Sequence, residues 1–380
     1  MKKHLVDDLI EQDFKGHQFW SNSLLQGDPR QDFCVELLLR HGVPAGNKLC
    51  LVNFGCGAWI SALQGNNTQQ AQAVHVFCED HIACEFNAKK QKATKVTSRL
   101  ESVTTAGPSF AQADVVLLRV FRDMSWNWDW IRKILSSLRP GSSLQIIGAK
   151  DDGIQSIEKN CLKAGFPVEV VTIGCHSRWL LIPAGSGNIE ALPTAPSGDW
   201  STLRIPQGEF SHWCPEGVFA AGHLDVGTLL LLNNIGDLQG KTVWDFGCGS
   251  GVIARAALLS QAREVYASDH SLWAVEVAKR NLEEYGAKAK CGAHFLGEGI
   301  PGTYDRILSN PPFHLEGREM KQFGRIWLGA CKDLLSPGGE IRLVANSFLP
   351  YGEFAKELAM DATPIVENKN FKIWKVTLRG

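Results

Sequence analysis

The residues best suited to chemistry are a glycine-rich loop and a carboxylate in the second half of the chain. The stretch VWDFGCGSGVIA fits the pattern D-x-G-x-G-x-G, with Asp245, Gly247, Gly249 and Gly251 as its members. Glycines after a buried parallel strand expose backbone N–H groups at the strand's carboxyl end, where such sheets bind ligands. Asp269 ends the next predicted strand, where a carboxylate can accept both ribose hydroxyls of a nucleoside cofactor. That arrangement would suit NAD equally well.

A second motif, Ser-Asn-Pro-Pro-Phe at 309–313, ends a later predicted strand and distinguishes these possibilities. A glycine loop, an acid and then N-P-P-F resemble the S-adenosylmethionine-dependent methyltransferases that modify exocyclic or amide nitrogens. From 217 to 376 the segments LDVG, SNPPFH and VANSFLPY resemble the bacterial 16S rRNA guanine-N2 methyltransferase family, whose members also carry a degenerate N-terminal copy. The 23S guanine-N2 relatives share this architecture, and VANSFLPY favours the small-subunit family.

The resemblance implies S-adenosylmethionine as cofactor and ribosomal RNA as partner, and it assigns the site residues. The expected cofactor-binding residues are Asp225, Asp245, Gly247, Gly249, Gly251 and Asp269, and the expected catalytic residues are Asn310, Pro311 and Phe313. Asp225 would suit a helix cap equally well. Adenine is often met by Asp or Asn after the third strand, where the alignment here places Phe295.

The chemistry explains why these residue types belong in the N-P-P-F loop. Guanine N2 is a poor nucleophile because its lone pair is delocalised into the ring. The Asn310 side-chain oxygen and the Pro311 carbonyl can accept both amino hydrogens, and adjacent prolines stiffen the loop. Phe313 offers a face for an extruded base, worth ~1–3 kcal/mol. Catalysis would rest on positioning and electrostatics, so His314 is not expected to act as a base.

The first half of the chain repeats the tetrapeptide Phe-Gly-Cys-Gly within LVNFGCGAWISA. Aligning the two tetrapeptides places Asn53 against Asp245 and Trp59 against Gly251. We therefore expect the first copy to bind no S-adenosylmethionine, because an indole would fill the loop. Both halves alternate short apolar runs with helical segments, which predicts an α/β fold of two tandem Rossmann-like methyltransferase domains from internal duplication, the N-terminal one degenerate.

We expect a degenerate domain over 1–185, a linker rich in Pro, Gly and Ala over 186–200, and a catalytic domain over 201–380. The first domain would serve as scaffold and RNA contact. In its copy of the N-P-P-F position stand Arg119 and Arg122, and Glu79 and Asp80 are interpreted as ordinary surface acids. Beyond them Trp126, Trp128 and Trp130 alternate, so in an extended segment they would share an RNA-binding face, or they would pack between domains.

Composition sets the remaining limits. The chain has 380 residues, is 44% apolar and 21% charged, and carries a net charge of −1, values typical of a globular protein. The sequence has no apolar run near the ~20 residues of a membrane span and a charged N-terminus without an export signal. Its eleven cysteines include no C-x-x-C. We therefore expect a cytoplasmic monomer with buried thiols and no metal.

Two alternatives stay open. A protein glutamine N-methyltransferase would also use N-P-P-aromatic, but a tandem degenerate domain argues against it. A non-catalytic RNA-binding assembly factor, with both copies inactive, is opposed by the intact Asp245, Gly251, Asp269 and Asn310.

Overall fold

The computed structural model describes residues 5–22, 25–63, 68, 70–194, 198, 200–215, 217–219, 223–311, 314–315, 318–319 and 323–379. The chain divides into two compact units, Lys3–Ser197 and Gly198–Gly380. Ile189–Ala191 forms a short 3-10 helix just before this division. The Arg132 guanidinium of the first unit donates to the Leu192 carbonyl at 3.2 Å, so part of the predicted linker packs on that unit.

The first unit begins with a hairpin and continues as alternating strands and helices. Its strands are β1 (Ile10–Phe14), β2 (His17–Ser21), β3 (Lys48–Val52), β4 (Gln70–His75), β5 (Val96–Leu100), β6 (Val115–Arg119), β7 (Ser143–Ala149), β8 (Glu169–Gly174) and β9 (Ser177–Pro183). Its helices are α1 (Phe33–His41), α2 (Cys78–Lys90), α3 (Gly107–Ala111), α4 (Met124–Ser137) and α5 (Ile154–Lys163).

The second unit repeats this order. Its strands are β10 (Trp200–Ile205), β11 (Gly208–Trp213), β12 (Thr242–Phe246), β13 (Glu264–Asp269), β14 (Ala289–Ala293), β15 (Tyr304–Ser309), β16 (His314–Leu315), β17 (Arg318–Glu319), β18 (Leu335–Asn346), β19 (Met360–Glu367) and β20 (Phe371–Leu378). Its helices are α6 (Val226–Leu232), α7 (Val252–Leu259), α8 (Leu272–Leu282), α9 (Phe323–Leu334) and α10 (Tyr351–Glu357).

Each unit contains a seven-stranded sheet of the same topology. The orders are β5-β4-β3-β6-β7-β9-β8 and β14-β13-β12-β15-β18-β20-β19. The first five strands of each sheet are parallel and the last two pair antiparallel. The prediction of an α/β fold with two tandem Rossmann-like domains is confirmed. In both sheets the strand order reverses beside the strand that precedes the glycine loop, which is β3 in the first unit and β12 in the second. Such switch points form ligand-binding crevices.

The three alternating tryptophans lie on a helix, so their predicted extended conformation is wrong. Helix α4 begins after Asp123, whose carboxylate accepts the N–H of Ser125 at 2.9 Å as an N-cap. Trp126, Trp128 and Trp130 are all buried. The helical period places Trp126 and Trp130 on one face, where both rings contact Phe121, and Trp128 on the opposite face. They contribute to the core and offer no stacking face for RNA.

Candidate active site

The glycine-rich loop of the second unit has the backbone that its glycines predict. Gly247, Gly249 and Gly251 have φ angles of +71°, +50° and +87°, a region that favours glycine. Gly247 and Cys248 both donate backbone N–H groups to the Ser268 carbonyl, which ties the loop to β13. An added Cβ at Gly251 would lie 3.3 Å from Ala278 Cβ on α8, whereas one at Gly247 would meet nothing within 4 Å. The loop therefore packs on one side and is open on the other.

Asp245 lies at the end of β12 with a fully buried carboxyl group. Its Oδ2 accepts the Ala254 N–H at 2.8 Å, and its Oδ1 has no hydrogen-bond partner among the residues that the structure describes. Burial raises the pKa of Asp245 to about 8, because desolvation disfavours the charged form, an effect that the Ala254 N–H opposes and Asp269 reinforces. A buried carboxyl oxygen without a partner costs stability unless a ligand donor or cation completes it.

Asp269 ends the neighbouring strand and braces the glycine loop. Its Oδ2 accepts the Gly249 N–H at 3.0 Å, and its Oδ1 accepts the Ser271 N–H at 2.9 Å. Each carboxylate oxygen keeps a further lone pair that could accept a ribose hydroxyl. Phe295, at the position usual for adenine recognition, is buried and offers no polar atom.

Asn310 follows β15 directly and lies beside the glycine loop, because β15 pairs with β12. Its side-chain NH₂ donates to Asp225 Oδ2 at 2.9 Å and to Thr228 Oγ1 at 3.0 Å. Those two bonds use both hydrogens, so the Asn310 Oδ1 is left as an acceptor. Pro311 is buried next to it, while Phe313 lies outside the described residues.

Asp225 is the N-cap of α6, as the capping alternative predicts. Its Oδ2 accepts the Thr228 N–H at 2.8 Å in addition to the Asn310 amide. The structure thus places Asp225 on the Asn310 side of the cleft.

A cleft lies over the open side of the glycine loop, and small-molecule sites are typically concave surfaces of this kind. Its lining includes Gly247, Gly249, Asp225 and Asn310. The cleft thus brings together the loop, the helix cap and the first residue of N-P-P-F. The bare loop, the cleft and the unpartnered Asp245 Oδ1 are compatible with a cofactor that carries a cationic group, although neither Asp245 nor Asp269 is among the described residues that line the cleft.

His212 also lines the cleft and was not predicted from the sequence. Its Nε2 lies 2.9 Å from Ser250 Oγ in the glycine loop. Burial, reinforced by the nearby Arg255 charge, lowers the pKa of His212 to about 4, so the ring is neutral. A lone histidine in a polar hairpin gives no motif by which it could have been found.

The first unit contains the same loop backbone, but the predicted alignment is wrong by two residues. Asn53, Gly55 and Gly57 have φ angles of +64°, +59° and +88°, which match the three glycines of the second loop in order. Strand registers agree, because the Lys48 N–H donates to Asp114 as the Thr242 N–H donates to Asp305.

This alignment corrects two assignments. Leu51, not Asn53, stands at the Asp245 position, and Gly57, not Trp59, stands at the Gly251 position. Asn53 replaces Gly247, since asparagine tolerates the left-handed conformation better than other residues with a side chain. Trp59 lies in a 3-10 helix beyond the loop and is buried in the core.

The loop of the first unit is covered by its own chain. The Gln26 carbonyl accepts the Cys56 N–H at 2.9 Å, and the Gln26 N–H donates to Asp80 at 3.3 Å. An added Cβ at Gly55 would lie 2.2 Å from the Gln26 oxygen. At Gly249 the nearest atom is Val218 Cγ1, at 3.9 Å. Backbone thus occupies in the first unit the space that stays open in the second.

The positions of the first unit that correspond to Asp269 and Asn310 also carry different residues. Strand ends align His75 with Asp269 and, as predicted, Arg119 with Asn310. Arg119 forms an ion pair with Asp32 at 2.7 Å, so it is not a free RNA contact. Glu79 and Asp80 are buried, which corrects their interpretation as surface acids. Arg122 is exposed, and its contact with RNA stays a prediction.

Comparison with known proteins agrees with this geometry. The family described as Methyltransferase small domain matches residues 209–375. The Ribosomal RNA small subunit methyltransferase C of Idiomarina loihiensis is 30% identical over 78% of this chain and 88% of its own length. The protein of that name from Pseudoalteromonas translucida is 27% identical over 89% of this chain and 97% of its own.

A solved structure has the same fold over nearly the whole chain. The T. thermophilus 16S rRNA N2 G1207 methyltransferase, in complex with AdoMet and guanosine, is 22% identical, covers 98% of both chains and gives a TM-score of 0.80. Two doubly wound sheets and the glycine-lined cleft define a duplicated methyltransferase fold. The chain belongs to the ribosomal RNA small subunit methyltransferase C family. Within the part of the chain that the structure describes, no helix is long and apolar enough to cross a membrane.

Proposed function

We propose that this protein transfers a methyl group from S-adenosylmethionine to the N2 amino group of guanine in the 16S rRNA of the small ribosomal subunit. The observation that carries this proposal is the Asn310 amide. Both of its hydrogens are held inside the protein, so its Oδ1 is left to accept a hydrogen bond from a ligand. An exocyclic amino group, with two hydrogens to donate, is the complement of that acceptor and the Pro311 carbonyl.

The glycine loop and the two strand-end carboxylates would hold the cofactor, which supplies an electrophilic sulfonium methyl when bound. The open backbone of Gly247 and Gly249 would cover its amino-acid end, and Asp269 would accept ribose hydroxyls. The buried Asp245 Oδ1 lacks a partner, which a cationic amino group nearby would supply. These roles are proposals, supported by the bare loop in the cleft and by the unpartnered Asp245 Oδ1.

For the substrate, the protein contributes positioning. Asn310 and Pro311 would fix the amino nitrogen with its lone pair toward the methyl group. Phe313 would stack on the base. Because an amino nitrogen becomes acidic as it is alkylated, solvent can take the proton and no side-chain base is required. Such preorganised acceptors typically account for ~10²–10³ in rate.

The proposed partner is 16S rRNA within the small subunit, and we infer that the protein works as a monomer in the cytoplasm. The eleven cysteines are free thiols, eight of them buried, which suits a reducing compartment. We also propose the domain limits 1–185 and 201–380, with catalysis in the second domain and scaffolding and RNA contact in the first.

The test is transfer of a labelled methyl group to small ribosomal subunits that lack the modification. We expect Asn310→Ala to lower kcat by ~10²-fold or more, with S-adenosylmethionine affinity nearly unchanged. Asn160→Ala, the same change on α5 of the first unit, where the amide donates to the Ser156 carbonyl of its own helix, is the matched control. Methylation by Asn310→Ala at the parental rate would contradict the catalytic assignment, and label in a protein glutamine would contradict the substrate.

A further inference from the structure

We infer that Asp225 and Thr228 form a positioning device that fixes the orientation of the Asn310 amide, and that Asp225 is not a cofactor ligand. This inference rests on the proposed role of Asn310. A carboxamide can rotate by half a turn and exchange its oxygen for its nitrogen at almost no steric cost. In the exchanged orientation Asn310 would present NH₂ to an amino group that itself needs acceptors.

The chemistry of the two neighbours decides the orientation. Asp225 Oδ2 lies 2.9 Å from the amide nitrogen, and a carboxylate oxygen can only accept. Thr228 Oγ1 lies 3.0 Å from the same nitrogen and takes the second hydrogen. Exchanging the amide ends would place the Asn310 oxygen against the Asp225 carboxylate, which repels it. Oδ1 is therefore held as the ligand-facing acceptor.

Helix α6 gives this device its rigidity. Asp225 caps the helix by accepting the Thr228 N–H at 2.8 Å, through the same oxygen that holds Asn310. Thr228 is buried one turn into the helix, so both acceptors belong to one fixed element. The bonds span 85 and 82 residues of sequence, so the device links the helix after the hairpin to the end of β15.

The internal duplication provides an independent comparison. Asp32 caps α1 in the first unit as Asp225 caps α6. Asp32 Oδ2 lies 2.7 Å from the Nε of Arg119, the residue aligned with Asn310. In the first unit the Gln26 backbone covers the loop, yet Asp32 still contacts the residue after the central strand. The contact between the cap and the strand end thus does not depend on a cofactor.

The experiment separates the capping role of Asp225 from its positioning role by replacing it with serine, whose side chain is shorter. Asp225→Ser keeps a good N-cap, since serine and aspartate rank together there, but its side chain is one bond too short to hold Asn310 as well. We expect kcat on small subunits to fall by ~10-fold or more, with the dissociation constant for S-adenosylmethionine and the melting temperature nearly unchanged. Asp225→Asn can still cap and accept from Asn310, so it should restore most of the rate. Thr228→Val, which removes one acceptor at constant shape, should lower kcat less.

A double-mutant cycle completes the test. Asp225→Ser in an Asn310→Ala background should cost no further rate, because no amide remains to be oriented. Two outcomes would overturn the inference. One is a double variant whose loss in kcat equals the product of the two single losses, and the other is an Asp225→Ser variant that keeps its kcat but binds the cofactor more weakly. If Asn310→Ala is itself fully active, the proposed function fails instead, so the two failures are distinguishable.

Discussion

At the scale of single residues, the site depends on polar side chains that leave an oxygen available to a ligand. Asp245 keeps one buried oxygen without a partner, and Asn310 has both hydrogens held but its oxygen open. An unpartnered buried oxygen destabilises the free protein, and a suitable ligand removes that cost. The two residues thus predict complementary ligands, a cation for Asp245 and a donor for Asn310.

Cofactor binding should release a proton through Asp245. Burial raises the pKa of this carboxyl to about 8 in the cofactor-free protein, so below that pH the group holds a proton. A cationic amino group near Oδ1 favours the charged form and lowers the pKa. S-adenosylmethionine affinity should therefore rise as pH increases toward about 8 and level off above it.

Calorimetry in two buffers of different ionisation enthalpy measures this proton release directly. Asp245→Asn removes the titrating group and serves as the control, since it should lose this component of the pH dependence. Equal proton release by the parent and Asp245→Asn would show that another group titrates.

At the scale of elements, one loop backbone occurs twice in the chain with different neighbours. Both loops pass through three left-handed residues at the same spacing. In the first unit the connection between the hairpin and the next helix places Gln26 on the loop, whereas among the described residues of the second unit the atom nearest to a Cβ added at Gly249 is Val218 Cγ1, at 3.9 Å. Loss of the ligand space in the first unit is therefore a property of a neighbouring segment.

Substitutions at equivalent loop positions should separate binding from stability. Gly249→Trp would place an indole in the open cleft, so we expect S-adenosylmethionine binding to be abolished with the fold retained, at a stability cost of ~1–2 kcal/mol for the left-handed conformation. Gly55→Ala, the counterpart in the first unit, would overlap the Gln26 carbonyl and should destabilise by ~1–3 kcal/mol or more while affinity is kept. Titration and thermal unfolding of both variants check this, and the reverse pattern would refute it.

The sequence predicted both sheets and the duplication, because strand–helix alternation and the order of motifs are local patterns. It also indicated that Arg119 matches Asn310. The alignment of the two loops from the sequence is wrong by two residues because it matches the identical Phe-Gly-Cys-Gly tetrapeptides. The backbone conformations match in a different register, in which Asn53 takes the position of a glycine. The orientation of the Asn310 amide could not be predicted, since its partners are 82 and 85 residues away. The alternation of the tryptophans favours an extended segment, whereas Asp123 caps a helix at this place.

At the scale of the whole molecule, duplication produced two sheets of equal topology and unequal chemistry. Leu51, His75 and Arg119 replace the carboxylates and the amide of the second unit. The first copy thus retains a folded core without the groups that would hold a cofactor.

The molecule should consequently bind one S-adenosylmethionine per chain. Titration of the full chain should give a stoichiometry near one, and Gly249→Trp should abolish it without revealing a residual site. Two sites on the parent, or one remaining in Gly249→Trp, would contradict the assignment of the first unit.

Nucleoside mass spectrometry of 16S rRNA tests the proposed methylation of guanine N2 most directly. Small-subunit rRNA would be isolated from cells with the gene, without it, and with the gene carrying Asn310→Ala. We predict that N2-methylguanosine at one position is present in the first and missing from the second, with Asn310→Ala restoring little of it. The same N2-methylguanosine content in all three RNAs would contradict the account.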